Sequence, residues 1–135
     1  METATMNSLD TVKAIYDAFV KGDIPFILEH VSEKFIWQDP CDPAIVPYGG
    51  KHSGKAGFLN FFQQLGGNTD TTLFEADEFI SEKNKVVAIG RHEFTPKKTG
   101  KHAHTDWAMI WTFKNGELVA GRAYYNNAET EKAFS

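Results

Sequence analysis

From Thr71 onward the chain changes character. Thr72–Ser81, Lys85–Thr95, Lys101–Phe113 and Glu117–Asn126 all have strand composition, and only the short turns Glu82-Lys83-Asn84, Pro96–Gly100 and Lys114-Asn115-Gly116 separate them. Turns that short join neighbours antiparallel. Strands of 10–13 residues exceed the usual length, so the sheet they form must curl strongly.

The preceding half is helical. Ser8 is placed to cap a helix along which Leu9, Val12, Ile15, Tyr16, Phe19 and Val20 recur at helical spacing, and Gly22 ends it. Asp23 caps a second helix, with Pro25 in its first turn and Phe26, Ile27 and Val31 on its apolar face. Phe35-Ile36-Trp37 reads as a short strand. Residues 40–52 carry Pro40, Pro43, Pro47, Gly49 and Gly50 and read as a loop. A third helix starts near Ser53 or Gly54, presents Phe58, Phe61, Phe62 and Leu65 as one stripe, and is expected to stop at Gly66-Gly67. Helices followed by a meander of strands define an α+β fold in the order α-α-β-α-β-β-β-β. A curled sheet with helices on its concave side leaves a conical cavity at one end.

A chain of 135 residues is read as one domain over 8–135, with 1–7 as a flexible tail. The aromatic excess, 11 Phe, 3 Trp and 4 Tyr, supplies either core or cavity wall. A net charge of −4 with no dense basic run argues against nucleic-acid binding. The single cysteine, Cys41, excludes an intrachain disulfide framework and fits a reducing compartment. No segment approaches the roughly 20 apolar residues of a membrane span, and the first ten residues hold no apolar stretch. A soluble cytoplasmic protein is the expectation.

The pieces Gly22-Asp23, Trp37-Gln38-Asp39-Pro40, Pro47-Tyr48-Gly49-Gly50, Ser53-Gly54-Lys55, Ala88-Ile89-Gly90-Arg91, Thr99-Gly100-Lys101, Asp106-Trp107-Ala108 and Tyr124-Tyr125-Asn126 stand in an order and spacing that carry a resemblance. The chain resembles the SnoaL-like, ketosteroid-isomerase-related proteins of the NTF2-like superfamily, from about Leu9 to Phe134. The resemblance implies a cone: a bent antiparallel sheet around three helices, with a pocket at the wide end. It also implies a homodimer formed through the outer sheet face. The same fold hosts isomerases, cyclases, hydrolases and plain binding modules, so function must come from the site.

In ketosteroid isomerases an Asp just before a Pro on this strand is the proton-shuttling base, and Asp39-Pro40 matches it. An acid beside Trp37 and facing an apolar cavity has a raised pKa, which suits proton transfer. The competing reading is an Asp that caps a turn at a strand end. Enolate formation also needs donors aimed at the oxyanion, which in the isomerase of the standard example are a Tyr and a protonated Asp. Counted from Gly22 and Phe113, those positions fall on Ile15 and Met109, with Tyr16 about 100° round the helix from Ile15. A steroid isomerase is therefore not expected. SnoaL-type cyclases place an Asp where this chain has Asn126; an amide can orient a carbonyl or a water but cannot act as base, and it can equally bond its own backbone.

His52, in the Pro/Gly-rich loop, is the candidate acid–base partner of Asp39. Trp37, Tyr48, Trp107, Met109, Trp111 and Tyr125, with Asn126, are the candidate ligand contacts. Arg91 and His92 are adjacent on a strand, so one must face inward, and the small Ala88 and Gly90 leave the choice open. His102, His104 and Asp106 alternate on one strand face and could hold zinc or iron. That face is opposite Trp107, Met109 and Trp111, so a solvated or dimer-contact pair is preferred and no metal site is assigned. Cys41 is flanked by Asp39 and Asp42, which raise a thiol pKa, and is read as packing. Nothing in the sequence implies a nucleotide or other cofactor. The ligand expected is a small apolar carbonyl or polyketide-like compound. The alternative reading is a non-catalytic binding or scaffold module.

Overall fold

The computed structural model describes residues 7–135. Its elements run α1 (Ser8–Lys21), α2 (Ile24–Glu29), β1 (Val31–Asp39), β2 (Gly50–Ser53), α3 (Gly54–Asn68), β3 (Thr69–Glu82), β4 (Lys85–Pro96), β5 (Ala103–Lys114), β6 (Glu117–Tyr125) and α4 (Asn127–Ala133). The expected order is kept, with two additions. β2 lies inside the segment read as loop, and α4 follows the last strand, so the helices number four. Of the tail expected over 1–7, residues 1–6 lie outside the described residues. Asn7, not Ser8, caps α1 by accepting from Asp10 N at 2.8 Å.

The six strands form one curved sheet in the order β2-β1-β6-β5-β4-β3. It is antiparallel except between β1 and β6, which pair in parallel with Trp37 opposite Gly121. A parallel pair needs a long crossover, and the residues between them, 40–116, supply it. β2 is the four-residue edge, with His52 opposite Trp37 and Gly50 opposite Asp39. The prolines and glycines just ahead of it disguise it as loop, and an edge strand tolerates the glycine at its own start.

Alternation fixes which side chains face the concave interior. β1 buries Phe35, Trp37 and Asp39; β5 buries Ala103, Thr105, Trp107, Trp111 and Phe113; β6 buries Leu118, Gly121 and Ala123. Against this face pack Val12, Ile15 and Tyr16 of α1, Ile27 of α2, and Phe58 and Phe61 of α3. Val31, expected on α2, is the first residue of β1, because the helix ends at Glu29. α3 runs through Gly66-Gly67 to Asn68. Two helical glycines cost about 1 kcal/mol each relative to Ala. The last carbonyls are nonetheless held, by Asn68 Nδ2 donating to Gln64 O at 2.7 Å and Thr69 Oγ1 donating to Leu65 O at 2.6 Å.

α4 is short and polar outside, with Thr130, Ala133 and Phe134 buried inside. Glu131 Oε2 accepts from Asp42 N at 2.9 Å, and Phe134 packs edge-on against Tyr48 at 5.8 Å. Thr99 Oγ1 donates to Ala133 O at 2.5 Å. These contacts tie α4 to the loop after β1 and to the β4–β5 turn, across one end of the cone.

Candidate functional site

Phe35, Trp37 and Asp39 alternate on β1, so the strand that carries the aromatic wall also carries the acid to the interior end of the sheet. Asp39 is 7% exposed. Tyr125, the last residue of β6, reaches the same point, and its phenol lies 2.8 Å from Oδ1 and 2.9 Å from Oδ2 of Asp39. Cys41 N donates to Oδ1 at 3.0 Å. The Cys41 thiol lies 3.2 Å from Tyr125 Oη, completing a chain from S–H to phenol to carboxylate.

Burial is the largest influence on the Asp39 carboxyl and pushes it up; the donors Cys41 N–H and Tyr125 O–H pull it back, leaving it at about 6. Burial also raises the Tyr125 phenol, so it stays protonated and can only donate to the carboxylate. The Cys41 thiol is likewise pushed up by burial, to about 12, in accord with packing rather than nucleophilic use. At neutral pH the result is an ionised, half-desolvated carboxylate held by two donors. Such a group can take a proton from a weak acid placed against it.

The cavity beside it has a volume of about 70 Å³. Ile15, Tyr16, Trp37, Asp39, Tyr48, Trp107, Met109, Trp111 and Tyr125 are in its wall, with His92, Thr105 and Thr130 as further polar members. The rings are tightly interleaved. Trp107 stacks on Tyr16 at 5.6 Å and on Phe74 at 5.2 Å, and Trp37 packs on Trp111 at 5.4 Å. The volume is well below the roughly 300 Å³ and upward of a drug-sized site. It suits a compound of few heavy atoms.

The candidate wall residues Trp37, Tyr48, Trp107, Met109, Trp111 and Tyr125 are therefore brought together around Asp39. Two others are not. His52 is buried on β2 opposite Trp37, near enough for its charge to act on Asp39, but its Nε2 lies 3.0 Å from Tyr48 O and it is not in the cavity wall. Asn126 is exposed and caps α4, its Oδ1 accepting from Glu129 N at 3.4 Å, which is the backbone-bonding alternative.

Tyr16, about 100° round the helix from Ile15, also faces the interior. Helical spacing puts Ile15 and Tyr16 both on the wide inner side of α1. Its hydroxyl accepts from Trp111 Nε1 at 2.9 Å and donates to Met109 Sδ at 3.0 Å, so both of its roles are already filled. The open question on β4 resolves in favour of His92: inward positions are Val86, Ala88, Gly90, His92 and Phe94. His92 Nε2 lies 3.0 Å from Thr71 Oγ1, and burial lowers its pKa to about 4, so it is neutral. Arg91 faces out, bonded to Glu75 and, at 3.0 Å, to Asp77. His104 and Asp106 lie on the outer face as expected, 3.0 Å apart, while His102 precedes β5 and lies 3.4 Å from Glu93.

The SnoaL-like domain family matches residues 12–121, and the chain belongs to that family. No curated protein matches it in sequence. Among solved structures it is similar to an NTF2-like protein of unknown function from Burkholderia pseudomallei (TM-score 0.86, 23% identity, 97% of this chain and 99% of that one). It is also similar to an NTF2-like protein from Burkholderia thailandensis (TM-score 0.87, 20% identity, 97% and 99%). TerC, co-crystallised with polyporic acid, shares the fold at TM-score 0.77 and 23% identity, over 92% and 95% of the two chains. No helix among the described residues is long and apolar enough to cross a membrane.

Proposed function

We propose that this SnoaL-like domain is a proton-transfer enzyme in which Asp39 is the general base acting on a small carbonyl compound. The observation that carries the reading is the Asp39 carboxyl, inside an aromatic cavity, bonded to the Tyr125 phenol and tuned to about 6. A base with that pKa is ionised at neutral pH and still basic enough to share a proton with a carbon acid. TerC, which has the same fold and was co-crystallised with polyporic acid, supports a small-molecule pocket. The small cavity favours a compound of few heavy atoms over a polycyclic polyketide.

The test is exchange of α-hydrogens for deuterium in a panel of small ketones, cyclohexanone among them, followed by NMR. Asp39→Asn is expected to lower the protein-catalysed rate by at least about 100-fold. Equal rates in the variant and the parent would remove Asp39 from the mechanism.

A second reading, a non-catalytic binding member of the family, is favoured by the apolar Ile15 and Met109 in the cavity wall. It expects a ketone to raise the melting temperature without any exchange. Under either reading two copies pair through the outer sheet face. There Tyr124 is 45% exposed, with the Arg122 guanidinium 5.1 Å from its ring and Ile36 and Ile110 alongside in a shallow groove.

A further inference from the structure

Removing a proton beside a carbonyl builds negative charge on the carbonyl oxygen, and that oxygen needs donors. Three buried polar atoms among the described residues have no hydrogen-bond partner: Trp37 Nε1, Trp107 Nε1 and Thr130 Oγ1. All three residues line the cavity that holds Asp39. An indole N–H can only donate, so each buried one calls for an acceptor.

Their placement separates them. A Cβ built on Gly121 would stand 2.7 Å from Cε3 and 2.9 Å from Cζ3 of Trp37. That ring edge therefore rests over β6, and Nε1 lies on the opposite edge, away from Gly121. Trp107 lies the other way round: its Cζ2 is 2.4 Å from a Cβ built on Gly90. The edge bearing its Nε1 leans over β4, away from β6 and Tyr125. Thr130, fully buried on the inner side of α4, reaches the same cavity from the end of the cone that α4 covers. Trp111 Nε1 is already donated to Tyr16.

We propose that Trp37 Nε1–H and Thr130 Oγ1–H together hold the oxygen of a small carbonyl compound while Asp39 takes its α-proton. The proposal rests on the reading of Asp39 as base and supplies the oxyanion donors that Ile15 and Met109 do not. Trp37 and Asp39 are two residues apart on the same face of β1, about 6.6 Å between Cα atoms. One strand thus carries both an acid and a donor to the same cavity. In the step, the α C–H bond breaks and its proton passes to the Asp39 carboxylate. The C–H electron pair forms the enolate double bond, and the carbonyl π pair moves to the oxygen held by the two donors. Return of the proton from Asp39 to carbon regenerates the base.

The probes are cyclohexanone and methylenecyclohexane, which differ in shape only by oxygen for CH₂. Binding is measured by titration of the ¹⁵N-labelled protein, with its three indole N–H signals assigned. Cyclohexanone is expected to bind about tenfold more tightly than the alkene, the worth of a hydrogen bond made in a dry site. It is also expected to shift the Trp37 indole proton downfield while Trp111 and Trp107 move little. Thr130→Val should reduce the preference for the ketone several-fold without unfolding the protein. Equal binding of the two probes, binding of neither, or a shift confined to Trp107 or Trp111 would each overturn the proposal. The two readings fail separately. A Trp37 shift with exchange undiminished in Asp39→Asn supports the donors and sinks the base; exchange lost in Asp39→Asn with no Trp37 shift keeps the base and sinks the donors.

Discussion

Two buried titratable residues of this cavity act in opposite directions on stability. Asp39 stands at about 6 in the fold against its ordinary 3.8, so the folded chain holds that proton more tightly than the unfolded one. Its contribution is present at low pH and lost as pH rises from about 4 to about 6. His92 stands at about 4 against 6.5, so the unfolded chain takes up the proton first, and its contribution is lost as pH falls from about 6.5 to about 4. Each is worth on the order of 3 kcal/mol, and over that window they offset one another. Urea unfolding between pH 4 and 7 should therefore show stability rising with pH in Asp39→Asn and falling with pH in His92→Gln. Parallel curves for both variants would contradict the assignment. Tyr125→Phe removes a donor to the carboxylate, so the pH midpoint for exchange should move upward from about 6. The burial of Asp39 and Trp37 on one face was legible from the alternation along β1, and the turn-capping alternative for Asp39 is met as well, since it accepts from Cys41 N. His92 was not, because Ala88 and Gly90 tolerate either face; the bulk of Phe94 and Val86 decides the parity only once the sheet curls. Tyr16 was legible as part of the α1 stripe, but its bonds to Trp111 and Met109 were not, because they join residues 95 and 93 positions apart.

At the scale of elements, the sequence spoke most clearly where periodicity was long. α1 and the four final strands follow from spacing alone. β2 and α4 did not, since four residues of an edge strand and seven of a mostly polar helix carry too little pattern. α4 is nevertheless signalled by its cap: Asn126 stands three residues before Glu129, whose N–H it accepts. Its anchor is Phe134, 1% exposed. Phe134→Ala should cost about 3–5 kcal/mol in chemical denaturation, and a loss under 1 kcal/mol would show that α4 docks only loosely. Gly66 and Gly67 sit in α3 with open space where a Cβ would be and no positive φ. Changing either to Ala should therefore stabilise the protein by about 0.5–1 kcal/mol. Gly121→Ala should do the reverse, by about 1–3 kcal/mol, because the added methyl meets Trp37 and Trp111.

The whole molecule is a cone with α4 across one end and an interior almost filled by rings. The resemblance foretold the cone, but not how little space the rings leave, because volume depends on rotamers that no residue pattern records. That filling makes Asp39 unusual: it is dry enough to lose its ordinary acidity, and the Cys41 N–H and the Tyr125 phenol hold it at about 6. Pairing of two copies through the convex face predicts a dimer mass in sedimentation equilibrium, and Tyr124→Asp should return it to monomer; a monomeric parent at tens of micromolar would remove that face from the account. The desolvated carboxylate itself is read most directly by following the Asp39 side-chain carboxyl carbon by ¹³C NMR as pH is varied. A midpoint near 6, moving higher in Tyr125→Phe, is the predicted result. A midpoint near 3.8 that ignores the Tyr125 substitution would mean the carboxylate is hydrated, and the cavity would hold no base.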